Sequence, residues 1–294
     1  MTRKAIPSGP GTSVDPAALI AERAHVLKSP IPDQAISALP GGFVIKRRGA
    51  GQVIADSRAY VDGDDIRHVD RGATARTGKL HIRTFQEERD RVTFLVVDFR
   101  PSMLWGMRSA FRSVAAAHAL ARLGWLATEA GGRVGLLAIT KRDALVIPIR
   151  GRVRGMLSVI GGLVKAHGMA LEAAGDDLAD PPLDQGLSGL KRIVPSGAAI
   201  VIATGMDTPG PGFGDVLGEL ARRRYPRLLI VEDRALLDLP AGHYPLSAPD
   251  GTRTRVTIAG RTAQVTQDDR PLGFPMMRVD AGTPIPGDIL LLGQ

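Results

Sequence analysis

RVTFLVVDFRPSM, residues 91–103, is the stretch on which the fold turns. Its first eight residues form a β-branched apolar run closing on a carboxylate, the composition of a strand buried on both faces of a parallel sheet. Downstream, Met107, Phe111, Val114, Ala115, Ala119, Leu123, Leu126 and Ala130 recur at spacings of three and four, which predicts a helix, and Gly131-Gly132 ends it as a C-terminal cap would. RVGLLAIT (133–140) and ALVIPIR (144–150) then read as strands separated only by Lys141-Arg142-Asp143. So short a connection fits a hairpin, making the second an antiparallel edge strand, a position that tolerates Pro148.

The alternation continues with helices around 153–166 and 183–193, the strand AAIVIAT (198–204), the helix FGDVLGELARRR (213–224) and the strand RLLIVED (227–233). The prediction is an α/β, doubly wound, mostly parallel sheet with an antiparallel edge strand, spanning 91–260. Residues 1–48, rich in Pro, Gly and Ala, read as a partly flexible appendage with one amphipathic stretch carrying Leu19, Ile20, Ala24 and Leu27. Residues 49–90 form a small, densely charged subdomain in which LHIRTF alternates like a strand after a TGK turn. Residues 261–294 are a Pro- and Gly-punctuated C-terminal extension in which only short strands are expected.

A chain of 294 residues that is 44% hydrophobic can bury a sizeable core. No run approaches the ~20 apolar residues of a membrane span, and the start lacks a secretory core, so a cytoplasmic location is expected. Without cysteine there are no disulfides, thiolate nucleophiles or Cys-based zinc sites. The net charge of +8 favours an acidic partner: nucleic acid, an anionic membrane surface or an acidic protein face. Positive charge gathers in Lys46-Arg47-Arg48, in Arg150, Arg152 and Arg154, and in Arg222-Arg223-Arg224 with Arg227, each beside an expected element end. Aromatic residues do not interleave with these runs, so the stacking platform of a single-strand binder is missing.

Catalytic signatures are missing as well. Six histidines form no HExxH pair, no serine sits in a GxSxG elbow, and His118, near the apolar side of the long helix, reads as a hydrogen-bonded structural residue. GAGQ (49–52) and GPGFG (210–214) lack the context of phosphate loops and read as turns.

In an open parallel sheet, ligands collect at the carboxyl ends of the strands where strand order reverses. Three loops should meet there: Asp98 to Ser102, Thr204 to Asp207, and Glu232-Asp233. The first, DFRPSM, resembles the DxSxSM motif of von Willebrand factor A domains. The upstream segment RAYVDGDDIRHVDRGATARTGKLHIRTFQEERD resembles the signature of the bacterial family called domain of unknown function 58, and EDRALLDLPAG is similar to a late element of it. The resemblance covers roughly residues 42–250. It implies a von Willebrand factor A-like fold and a role beside MoxR-type AAA+ ATPases, as an adaptor or chaperone-like factor.

The motif residues Arg58, Tyr60, Gly63, Asp64, Asp65, Arg67, Asp70 and Arg76 are read as structural, since their opposite charges alternate closely enough to neutralise one another; a partner-facing surface is the competing reading. Arg71 stands where the family typically has Trp. In the adhesion motif, Asp98 and Ser102 are kept, Arg100 occupies the first serine position, and Thr204-Gly205 stands where Ser-Asp is usual. Arginine offers no lone pair and brings a permanent charge, which disfavours the oxygen-coordinated magnesium that the motif implies. Arg100 is therefore expected to pair with Asp98 and replace the cation, leaving no cofactor; weak magnesium binding through Asp98, Ser102 and a displaced Asp207 is the minor alternative, and simple helix capping by Asp98 the plainest one. The expected function is that of a non-enzymatic, protein-binding adaptor whose rim comprises Asp98, Arg100, Ser102, Thr204, Asp207, Glu232 and Asp233. The alternative is nucleic-acid or anionic-surface binding through the basic runs.

Overall fold

The computed structural model describes residues 11–28, 53–61, 66, 69–86, 91–173, 179–236, 240–247, 253–258 and 273–285. The chain divides into two compact units, residues 42–90 and the remainder.

In the smaller unit, β1 (Val53–Ala59) pairs antiparallel with β2 (His81–Gln86), and a short helix, α2 (Arg71–Thr77), lies between them in sequence. Asp70 caps α2 by accepting the Ala73 amide at 3.0 Å, and Gly78 ends it in the left-handed conformation (φ 69°), where glycine carries no steric cost. Thr74 Oγ1 then accepts the His81 amide at 3.0 Å, tying the helix to the strand. Of the charged motif, Asp70 is thus a helix cap, Tyr60 is half-buried, and Arg58 and Arg76 are exposed. Gly63, Asp64, Asp65, Arg67, the Lys46-Arg47-Arg48 run and the GAGQ turn lie outside the described residues.

The larger unit holds a six-stranded sheet built from β3 (Val92–Asp98), β4 (Arg133–Ile139), β5 (Ala144–Gly151), β6 (Ala199–Thr204), β7 (Tyr225–Glu232) and, near the C-terminus, β10 (Met276–Asp280). Its order is β10-β7-β6-β3-β4-β5, with every neighbour parallel except β5, which runs antiparallel to β4. The mostly parallel α/β sheet and its antiparallel edge therefore stand as read from the sequence. Alternate residues of the inner strands feed two cores. Leu95, Val97, Val201 and Val231 pack under α1 (Pro16–Lys28), α3 (Arg112–Glu129) and α4 (Arg152–Ala173). Phe94, Val96, Ile200 and Ile230 pack on the other face, with Leu183 and Leu187 of α5 (Leu183–Leu187), Leu190 of α6 (Leu190–Ile193), and Phe213 and Leu217 of α7 (Phe213–Ala221).

Several expectations change. The helix expected over 183–193 is two short ones, interrupted at Ser188-Gly189. The helix expected from Met107 begins at Arg112, because residues 104–111 form a loop. The strand at 253–258, β9, belongs to a separate two-stranded sheet with β8 (Gly242–Ser247), whereas the sixth strand of the main sheet comes from the segment set apart as a C-terminal extension. Within the segment set apart as an N-terminal appendage, α1 is likewise packed into the main core through Leu19 and Val26. Leu19 is fully buried against α3, and the Trp125 indole donates to its carbonyl at 3.0 Å. Glu22, also buried, is held by His118 at 2.8 Å and by Arg122 at 2.7 Å. Burial pushes the Glu22 carboxyl pKa up, but these two hydrogen-bonded partners outweigh it and hold the value below normal. Among the described residues no helix is long and apolar enough to cross a membrane.

If α1 is core rather than appendage, Leu19→Ala costs about 2–5 kcal/mol in urea unfolding, the range of a buried leucine; a change below about 0.5 kcal/mol would return α1 to the surface.

Candidate functional site: a buried arginine at the sheet switch point

The chain leaves β3 toward β4 on one side and returns to β6 on the other, so strand order reverses between β3 and β6. Asp98 and Thr204 end these two strands. Both are fully buried, and Thr204 Oγ1 donates to Asp98 Oδ2 at 2.8 Å. The Thr204 hydroxyl also accepts the Met206 amide at 3.1 Å, which helps hold Met206 in the left-handed region (φ 60°), unfavourable for a residue with a side chain.

The centre of the site is Arg100, with no exposed surface at all. Its guanidinium grips Asp98 by two parallel bonds, Nε to Oδ1 at 2.9 Å and Nη2 to Oδ2 at 2.7 Å, and its amide donates to Oδ1 at 3.0 Å. Nη1 donates to the Pro181 carbonyl and, at 2.9 Å, to the Thr208 carbonyl. A second buried carboxylate, Asp180, lies 3.8 Å from Nη1 and accepts the Ser102 amide at 3.0 Å. Burial lowers the affinity of Arg100 for its proton, but the bonds and charge of Asp98 more than reverse this and raise its pKa. Burial dominates at Asp180 and raises its pKa, against the pull of the Ser102 bonds and Arg100.

A second arginine flanks the first. The Arg112 guanidinium pairs with Asp207 at 2.9 Å, donates to the Ser102 carbonyl and stacks 4.9 Å over Trp105. It fills the space beside Gly205, where any side chain would collide with Arg112 and Asp207. The glycine that stands where the resemblance expects an aspartate thus makes room for a cation.

These contacts test the fit to magnesium. Both Asp98 oxygens already accept hydrogen bonds from Arg100 or Thr204, and a guanidinium occupies the space beside them. A hard dication needs about six oxygens at short distance, so the residues present do not fit it. Among the described residues there is also no cluster of three or more His, Asp or Glu arranged to hold a metal.

Of the seven rim residues expected from the sequence, Asp98, Arg100 and Thr204 prove to be fully buried, so no partner can touch them. Asp207 is the exposed one. Asp233 faces inward and accepts the Met107 amide at 2.6 Å and the Ala235 amide at 3.1 Å, latching the loop after β3 to the end of β7. Glu232 pairs with Arg278 of β10 and so serves the sheet edge. Asp180, Arg112 and Trp105 were missed. Asp180 precedes Pro181-Pro182 in a polar segment between two expected helices, and Arg112 falls outside the apolar stripe that marks the long helix.

Residues 56–265 match the family described as "Protein of unknown function DUF58". The chain belongs to this family. Uncharacterized proteins of Mycobacterium bovis and Mycobacterium tuberculosis are 33% identical to it over 102 residues, which is 35% of this chain and 32% of theirs. The DUF58 protein described here thus spans about a third of the length of these relatives. Among solved structures, it is similar to the conserved hypothetical protein BatB of Bacteroides thetaiotaomicron, at 18% identity and a TM-score of 0.38 over 65% of this chain and 90% of that one. An aerotolerance-related membrane protein of Bacteroides fragilis matches at 16% identity and a TM-score of 0.39, over 65% and 93%.

Arg100→Ala strands two buried carboxylates and costs about 3–5 kcal/mol by chemical denaturation, whereas a surface arginine would cost under 1. A second titration concerns His167, buried against Ser113 Oγ (2.9 Å) and the edge of Phe99. Burial lowers its pKa to about 4. The unfolded chain protonates this histidine first as pH falls below the ordinary value near 6.5. Stability is therefore full above pH ~6.5 and declines by up to about 1.4 kcal/mol per pH unit down to about pH 4. His167→Gln should flatten that part of the stability profile; an unchanged slope would show that other groups cause it.

Proposed function

We propose that this DUF58 protein is a non-enzymatic, protein-binding adaptor of von Willebrand factor A-like build, whose adhesion surface works without a metal. The observation that carries the reading is the Arg100 grip on Asp98, which puts a fixed cation where that motif would bind magnesium. A permanent charge built into the fold removes any dependence of the rim on metal supply. It also removes the open coordination position through which a metal would meet a partner's carboxylate. What remains for a partner lies around the knot: Asp207 and the loop bearing Trp105 and Met107, the latter 46% exposed. A half-exposed aromatic ring, a pliable thioether and a paired carboxylate suit a protein contact. By resemblance, the partner is a MoxR-type AAA+ ATPase.

The experiment is capture of the MoxR-type ATPase of the same genome on the immobilised protein, in each nucleotide state. Capture should occur in at least one state and fall at least about tenfold with Met107→Asp, a change at an exposed contact residue. Failure in every state sinks the partner. Calorimetry separately tests the metal-free site. The parent should take up no magnesium or manganese, and micromolar binding abolished by Asp98→Ala would overturn that part.

A further inference from the structure

The carboxyl rim is one pole of the main unit; the other is the edge where the parallel strands begin. Register fixes that edge: Arg133 lies beside Val92, Gly151 beside Arg133, Ala199 beside Thr93 and Tyr225 beside Ala199. Two basic runs far apart in sequence are therefore brought to one end. Arg150, Arg152 and Arg154, where β5 passes into α4, are all exposed. Arg222 and Arg223, between α7 and β7, are exposed too, as is Arg192 in α6. Arg224 is turned inward and holds the end of α6 through the carbonyls of Val194 (2.9 Å) and Lys191 (2.7 Å). Carboxylates on the helices ending here are already engaged, Glu129 by Arg23 at 2.7 Å and Glu219 by Lys191 at 2.6 Å.

The same pole exposes apolar side chains among its cations. Val153 stands between Arg152 and Arg154, with Leu157 one turn further along α4; Ile193 follows Arg192, and Tyr225 follows the arginine run before β7. These four are between 38% and 49% exposed. Arg152 is in addition one of two described non-glycine residues with positive φ, at 62°, so its backbone adopts a disfavoured form at the very tip.

We propose that this pole docks on an anionic lipid bilayer. Arginines meet headgroup phosphates, while Val153, Leu157, Ile193 and Tyr225 reach the boundary between headgroups and acyl chains. A nucleic-acid duplex would satisfy the cations equally, but its phosphate rails offer nothing to three aliphatic side chains, and a single strand would need more stacking surface than one tyrosine. Docked in this way, the molecule would carry its carboxyl rim on the side away from the lipid.

Vesicle co-sedimentation of the full chain tests this. Phosphatidylcholine vesicles containing about 30% phosphatidylglycerol should bind the protein at low salt, pure phosphatidylcholine should not, and raised salt should release it. The pair Arg152→Glu and Arg154→Glu should weaken binding about fivefold or more for each charge changed. Val153→Ser with Tyr225→Ser should weaken vesicle binding yet leave the affinity for a duplex oligonucleotide as in the parent. No binding to anionic vesicles at low salt overturns the proposal. So does vesicle binding indifferent to Val153 and Tyr225, which would make the pole a general polyanion site and point to nucleic acid. Circular dichroism checks that each variant folds; should one not, salt-insensitive vesicle binding by the parent would overturn the proposal by itself.

Discussion

Two parallel hydrogen bonds between the Arg100 guanidinium and the Asp98 carboxylate hold the carboxyl end of the sheet together. Asp98 ends the central strand, and a buried ionised carboxylate is tolerable only when paired and hydrogen-bonded. Arg100 meets that demand and uses its remaining donor on the Pro181 and Thr208 carbonyls, so one side chain pins three loops from three separate parts of the chain. Those loops in turn position Asp180, Ser102 and Asp207. A fixed guanidinium differs from a bound ion here in one physical respect: it cannot leave, so the arrangement of these loops has no metal-free state to relax into.

Arg112 repeats the device one layer further out. It sits on Asp207 and over Trp105, beside a glycine small enough to admit it. Two arginines with delocalised, planar heads suit such crowded sites, because each meets several acceptors in a fixed fork without the strong hydration of an ammonium. The rim that surrounds them is consequently built on charge pairs internal to the protein.

Much of the fold was legible in the sequence because its signals are local. The apolar run at 92–98, the short connection between β4 and β5, and the periodicity of α3 each follow from a few neighbouring residues. What failed to show was long-range. α1 looks like an appendage since only Leu19, Glu22 and Val26 are buried in it, and the partners that bury them lie about a hundred residues on. β10 is a short strand among prolines and glycines, recognisable only by its pairing with β7. In the site, the pairing of Arg100 with Asp98 could be anticipated from their two-residue separation. Asp180 and Arg112 could not, as nothing in a linear reading brings a Pro-flanked aspartate or a first-turn arginine to the end of β3. Burial is equally hidden from a linear reading: polar residues at strand ends suggest a surface, yet Asp98, Arg100, Thr204 and Asp233 are buried.

The seat of α1 has a consequence for the order in which the protein can assemble. Leu19 closes on Trp125, and Glu22 on His118 and Arg122. During synthesis from the N-terminus, α1 is therefore made long before the helix that seats it. The small unit and then β3 and α3 must emerge before that seat exists. Of its four large apolar side chains, folding later hides only Leu19 and Val26, while Ile20 and Leu27 stay exposed in the finished protein, so the surface that has to wait for its partner is small.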